Sequence, residues 1–131
     1  MKLWYQSLTR PGAWPTYAKA LRRLLDATAD PGTEIAIHGI EQRGGIGDQY
    51  RYLEFIETGE VLENVARAEA EGFDAVLLGN IVDPGLRIAR EIAYMSAFEL
   101  DYAKRIKDGM DPKTAMAVAA DTAADLTLET M

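Results

Sequence analysis

Three polar side chains able to bind or activate a small molecule follow apolar segments of the chain: Ser7, His38 and Asn80. A histidine titrates near neutral pH and can serve as a general base. An asparagine amide cannot accept a proton near pH 7, but it can orient a carboxylate or stabilise an oxyanion. Because ligands of parallel sheets bind beyond the carboxyl ends of the strands, we predict that these three side chains converge on one crevice. Purely structural roles remain open: Asn80 suits a turn, and His38 suits a strand end as a satisfied histidine.

The elements that must position these residues alternate between strand and helix. Each apolar, β-branched segment is followed by glycine, proline or a helical spacing of apolar residues. This order predicts an α/β fold with a small three-stranded parallel sheet flanked by helices, like half of a flavodoxin-type domain, and a helical C-terminal tail. The predicted strands span 2–8, 33–40 and 74–80, with a loop at 41–52; the helices run from Tyr17 (capped by Thr16) to the stop at 30–32, from about Thr58 to Glu71, from Pro84 (capped by Asp83) to about Lys107, and from Pro112 onwards.

Three groups of side chains are interpreted as structural. Glu54, Glu57 and Glu60 are spaced three apart, and we interpret them as a solvated helix face. The third strand is apolar almost throughout, which is typical of a strand buried on both faces. The aromatic and apolar residues of the third helix indicate core or interface: Tyr94, Met95, Phe98, Leu100 and Tyr102.

Composition excludes several classes of function. The net charge of −7 argues against nucleic acid as a partner, since such binding depends on Lys and Arg at phosphates. With no cysteine and one histidine, thiol chemistry and multi-histidine metal sites are excluded. The glycines at 44, 45 and 47 do not spell a dinucleotide fingerprint, so no cofactor is expected. No leader pattern and no apolar run of about 20 residues is present, so we expect a cytoplasmic protein without a membrane partner.

Three stretches carry a resemblance to a known family. WYQSLT near the start, DPGTEIAIHGI, and EAEGFDAVLLGNIVDPGLRIAREI occur in this order over residues 1 to about 93. In these stretches the chain resembles the first lobe of the Asp/Glu/hydantoin racemase superfamily. The resemblance implies a racemase-like α/β lobe at 1–93, a helical extension at 94–131, and a small carboxylate or hydantoin-type ligand.

The resemblance also implies roles for single residues. Racemases of the family use one cysteine from each of two lobes as bases at the α-carbon, and Asn80 stands at the first of these positions. The segment after the first strand, here Gln6, Ser7 and Thr9, holds a substrate carboxylate, and the loop backbone at Asn80 and Ile81 assists it. With both cysteines absent, His38 is the remaining candidate base.

Two departures from the family leave the function open. Asn80 cannot replace a cysteine base, and residues 94–131 do not match a second lobe. One hypothesis is isomerase-like chemistry at the α-carbon, with a homodimer or higher homo-oligomer rebuilding the cleft. The alternatives are a non-catalytic lobe that binds a small acid, or a decarboxylase-type lyase that uses the same anion pocket.

Overall fold

A computed structural model describes residues 1–44, 50–80 and 84–129 of the chain. It contains three strands and four helices, which confirms the predicted α/β class, the parallel sheet and the helical C-terminal part. In chain order the elements are β1 (Lys2–Gln6), α1 (Pro15–Thr28), β2 (Glu34–His38), α2 (Arg51–Ala70), β3 (Ala75–Leu78), α3 (Leu86–Lys107) and α4 (Pro112–Glu129).

The sheet places the ends of its strands side by side. Its order is β2-β1-β3, all parallel, and Gln6 is the register partner of both His38 and Leu78. The ladder continues one residue further, since the N–H of Ser7 donates to the carbonyl of His38 at 2.8 Å and that of Gly79 donates to Gln6 at 2.7 Å. The polar residues that follow each strand therefore lie along one edge of the sheet.

Alternate side chains of β1 pack against different helices. Tyr5 lies in a cluster with Leu21 and Leu25 of α1, and Ile35 and Ile37 of β2 extend it. This assignment follows from the two-residue period of a strand. It explains the apolar spacing of α1.

The neighbouring residue Trp4 belongs to the opposite face, where the guanidinium of Arg67 on α2 lies 4.7 Å from its ring centre. A second cluster on this side joins Leu8, Ile40 and Val61, with Leu78 packed against it. β3 differs from the prediction: Leu77 is 45% exposed, so the strand is not buried on both faces within the described residues.

The predicted start of α2 is wrong by about seven residues. The helix begins at Arg51, so the end of the predicted loop is helical, while residues 45–49 lie outside the described part. The interpretation of the glutamates as a solvated face is also wrong for two of them, because Glu57 is 0% and Glu60 2% exposed. The helix buries a polar stripe and exposes Tyr52 and Phe55, so hydrophobic spacing could not find its start.

Two other helix starts need correction. α1 begins at Pro15 with Trp14 as its N-cap residue, and no side chain caps it, so Thr16 is not the cap. Proline suits the first turn of a helix because its missing N–H would have no helical partner there. α3 begins at Leu86 rather than Pro84, and Asp83 lies outside the described residues.

The chain divides into two compact units, residues 1–86 and 87–131, whereas the sequence places the boundary near residue 93. In the second unit Asp111 precedes α4 as predicted, and its Oδ1 accepts a hydrogen bond from the N–H of Thr114 at 3.1 Å. α3 and α4 are joined by Arg105, which donates to Thr122 at 3.4 Å. None of the described helices is long and apolar enough to cross a membrane.

Candidate functional site

A pocket of about 230 Å³ opens at the carboxyl ends of β1 and β2. The loop after β1, the first two turns of α1 and the end of β2 form its walls. The lining residues are Ser7, Thr9, Arg10, Pro11, Gly12, Trp14, Tyr17, Ala18, Leu21, Arg22, Ile37, His38 and Gly39.

The loop after β1 is shaped by hydrogen bonds of its own residues. The Oγ of Ser7 accepts from the N–H of Thr9 at 3.0 Å, which turns the chain directly after the strand. Gly39 at the end of β2 permits a close approach, because a Cβ there would lie 2.1 Å from the carbonyl oxygen of Thr9. Ser7 and Thr9, two of the predicted binding residues, both line the pocket. The Oγ of Ser7 is already a hydrogen-bond acceptor within the loop.

The wall supplied by α1 is aromatic and aliphatic. Trp14, Tyr17, Ala18 and Leu21 recur at intervals of three and four, so they share one face of the helix. Leu21 is buried against the sheet, whereas Trp14 is 52% and Tyr17 44% exposed. The apolar face of α1 therefore extends past the sheet and borders the open pocket.

The charged residues that line the pocket, among those described, are both arginines. Nε of Arg10 donates to the carbonyl of Gly44 at 3.1 Å. Arg22 donates to Ile35 at 3.0 Å and pairs with Asp26 at 3.2 Å. No described lining residue is acidic, although the net charge of the chain is −7.

Gln6 is placed away from the pocket lining. Its side chain is 2% exposed, with Oε1 accepting from the indole N–H of Trp4 at 2.9 Å and Nε2 donating to the carbonyl of Ser7 at 2.9 Å. Both ends of the amide are used within the fold. Gln6 holds the end of β1 rather than facing a ligand.

The imidazole of His38 lies against Trp4, with ring centres 3.4 Å apart and an interplanar angle of 9°. Its Nδ1 is 3.3 Å from Nη2 of Arg67, and because a guanidinium can only donate, this contact favours the neutral imidazole with Nδ1 as the acceptor. Burial lowers the pKa of His38 below its ordinary 6.5, and the charge of Arg67 lowers this pKa further, while Glu71 and Glu41 oppose the shift. The ring nitrogen that could take up a proton is therefore engaged on the α2 side.

Asn80 follows β3 at the same edge of the sheet and is half-buried, but it does not line the pocket. Ile81 lies outside the described residues. Just before Asn80, the hydroxyl of Tyr5 donates to the carbonyl of Gly79 at 3.5 Å. Burial raises the pKa of Tyr5 to about 12, and a hydrogen bond with Tyr17 raises it as well, so this phenol stays protonated at neutral pH.

The loop after β2 is held by a buried carboxylate of α2. Glu60 accepts from three successive backbone N–H groups, those of Glu41 at 2.6 Å, Gln42 at 3.0 Å and Arg43 at 3.0 Å. The same loop reaches Gly44, which receives the hydrogen bond of Arg10. Glu60 thereby fixes the loop on which the orientation of Arg10 depends.

Of the residues that line the pocket, the sequence predicts Ser7, Thr9 and His38 but not Arg10, Trp14 or Tyr17. The sequence signal for these residues is their position: Arg10, Trp14 and Tyr17 lie between the first strand and the first turn of the next helix. Among the described residues no group of three His, Cys, Asp or Glu side chains is placed to hold a metal ion. Comparison with protein-family models, curated proteins and solved structures finds no match to the chain.

Proposed function

We propose that the chain is a racemase-like lobe that binds a small organic carboxylate in the pocket beside α1. The observation that carries this proposal is the cation at Arg10: Arg10 donates to the neutral carbonyl of Gly44, Arg22 is paired with Asp26, and no described lining residue is acidic. Arginine is suited to carboxylates because its planar fork can donate two parallel hydrogen bonds. The position at the carboxyl ends of parallel strands supports the same reading.

Binding without turnover is favoured over catalysis by the groups at this edge. Nδ1 of His38 accepts from Arg67, and the ring lies flat on Trp4. The amide of Asn80 and the protonated phenol of Tyr5 are not bases at neutral pH. Binding a small acid requires no base, so these residues are compatible with it.

The test is a binding titration with a panel of small carboxylates and a 5-substituted hydantoin, followed by protein NMR. At least one acid is expected to shift resonances of the loop after β1. Arg10→Gln is expected to weaken the binding of that acid by about tenfold to a hundredfold, since a hydrogen bond to a charged group contributes about 1.5–3 kcal/mol. Arg23→Gln, an exposed cation of α1 that does not line the pocket, is the matched control. If no panel member binds, or if both variants bind alike, the proposal is wrong.

Isomerase-like chemistry at the α-carbon is the second candidate, and the place of Asn80 directly after β3 favours it. This is the position at which the resemblance puts a cysteine base. Exchange of the α-proton would be followed by NMR in D₂O with aspartate, glutamate and a substituted hydantoin, against a control without protein. Exchange above that control by the wild type would support this candidate, and no exchange by the wild type would reject it. Exchange by Asn80→Cys alone would then assign the lost base to this position.

A homodimer located in the cytoplasm completes the proposal. An exposed apolar strip on the first turns of α2, formed by Tyr52, Phe55 and Ile56, supports self-association. A symmetric pair would bury the same strip of both copies.

A further inference from the structure

The shape of the pocket indicates what kind of acid fits it. The apolar face of α1 covers the sheet with Leu21 and Leu25 and then continues past the strand ends with Trp14 and Tyr17. Those two large rings are about half exposed, although they border an apolar wall. The hydrophobic core is thus extended into an open cavity with aromatic sides.

The size of the cavity sets a limit on the ligand. Its volume is about 230 Å³, and an apolar protein cavity of about 150 Å³ is known to hold one benzene molecule. The remaining space suits a short arm. A single aromatic ring with a carboxylate one or two carbons away therefore fills the pocket.

The charge of the cavity accounts for one carboxylate rather than two. Arg22 is paired with Asp26 at 3.2 Å, which offsets its charge. Arg10 makes its one hydrogen bond to a described residue with Nε, at the neutral carbonyl of Gly44. A second carboxylate on the ligand would lie against apolar side chains, where burying a charge without a partner is costly.

We propose that the pocket selects an aromatic monocarboxylate, with its carboxylate at Arg10 and its ring against Trp14 and Tyr17. This inference rests on the proposed function and adds the ligand class to it. Aspartate- and glutamate-like diacids are rejected by the apolar wall.

The experiment measures the affinity of the full chain for phenylacetate, for glutarate as a diacid of similar length, and for phenylacetamide as a neutral ring. Phenylacetate is expected to bind at least about tenfold tighter than either of the others. Trp14→Leu is expected to weaken the binding of phenylacetate about tenfold, because the variant loses the contact between two aromatic rings and part of the buried apolar area. Tyr50→Leu, an aromatic residue that is 62% exposed and lies outside both the pocket lining and the proposed dimer strip, is the matched control.

The outcomes show whether the ligand class, the proposed function or both are wrong. Glutarate binding as tightly as phenylacetate, with sensitivity to Arg10→Gln, overturns the ligand class and leaves the proposed function standing. No binding of either acid overturns the ligand class, while the panel of small carboxylates still decides the proposed function. Equal binding of phenylacetamide overturns both, because it shows that the carboxylate is not recognised. Unchanged affinity for phenylacetate in Trp14→Leu overturns the placement of the ligand ring against Trp14. If that variant does not fold, nuclear Overhauser contacts between phenylacetate and the Trp14 indole in the wild type decide the same point.

Discussion

Single residues at the carboxyl edge are constrained by close packing rather than by reactivity. A Cβ at Gly79 would lie 2.2 Å from the hydroxyl oxygen of Tyr5 and equally close to its ring. That distance is far below ordinary van der Waals contact, so a side chain at position 79 would displace the Tyr5 ring. The glycine before Asn80 is therefore required by the phenol that lies over it.

Gly79→Ala is expected to lower the free energy of unfolding by about 1–3 kcal/mol, the usual cost of overpacking a core. Urea unfolding measures this change. Gly59→Ala is the matched control: its Cβ would meet only the end of the Arg43 side chain, and alanine favours a helix interior, so stability should stay the same or rise by up to about 1 kcal/mol. Equal effects of the two substitutions would refute the steric argument.

His38 makes the fold sensitive to mild acid. Because its pKa is lowered in the folded state, the neutral ring is favoured there, and its contribution to stability is complete above the ordinary pKa of 6.5. As the pH falls below 6.5, the unfolded chain binds a proton first, so stability declines until the lower folded pKa is reached. Arg67 opposes protonation, while Glu71 and Glu41 favour it.

The measurement compares chemical unfolding of the wild type and of His38→Gln from about pH 7.5 downward. The wild type is expected to lose stability relative to the variant once the pH passes below 6.5, because glutamine does not titrate. Parallel curves, or an NMR titration that places the pKa of His38 at or above 6.5, would contradict this expectation.

At the scale of elements, α2 departs from the usual amphipathic pattern, because it buries charged side chains and exposes aromatic ones. It buries three polar residues together with three apolar ones, and it exposes Tyr52 and Phe55. The buried residues are Glu57, Glu60, Val61, Asn64, Val65 and Ala68. Glu60 is tolerated there because its carboxylate accepts from backbone N–H groups of the loop after β2, and Asn64 donates to the carbonyl of Gly39 at 3.4 Å. The helix therefore holds the loop after β2 in place in addition to packing against the apolar core.

Glu60→Gln is expected to cost about 1.5–3 kcal/mol in unfolding free energy, since it removes the charge that three N–H groups share and replaces one acceptor oxygen by a donor. Faster hydrogen exchange at the amides of Glu41, Gln42 and Arg43 should accompany the loss. Glu63→Gln breaks an exposed pair with Arg43 and should cost below about 1 kcal/mol. If the two variants are equally stable, Glu60 does not hold the loop.

At the scale of the whole molecule, the proposed homodimer is tested by mass in solution. Phe55→Lys places a charge in the exposed strip of α2 and is expected to yield monomers by light scattering, because an unpaired charge opposes burial. Leu24→Lys changes an apolar residue of α1 that is 60% exposed and should leave the mass unchanged. A wild-type chain that is monomeric at all concentrations would reject the homodimer.

The sequence by itself determined the class of the fold, the order of its elements and the parallel sheet. These follow from local signals: β-branched apolar segments, glycine and proline stops, and the Asp111-Pro112 start of α4, which the hydrogen bond to Thr114 bears out. It also located the edge of the sheet at which Ser7 and Thr9 lie. Such features depend on residues close together in the chain.

Only the tertiary structure decided which side chains face the pocket. His38 ends β2 and Ser7 follows β1, and both border the pocket. The imidazole nevertheless lies against Trp4 and Arg67 on the α2 side, while Thr9 and Arg10 border the α1 side. The start of α2 was likewise hidden, because its buried glutamate is compensated by N–H groups of a loop about 18 residues away in sequence. Partners that are distant in the chain leave no periodic trace in the sequence, so burial, charge pairing and the choice of face emerge only when the elements pack.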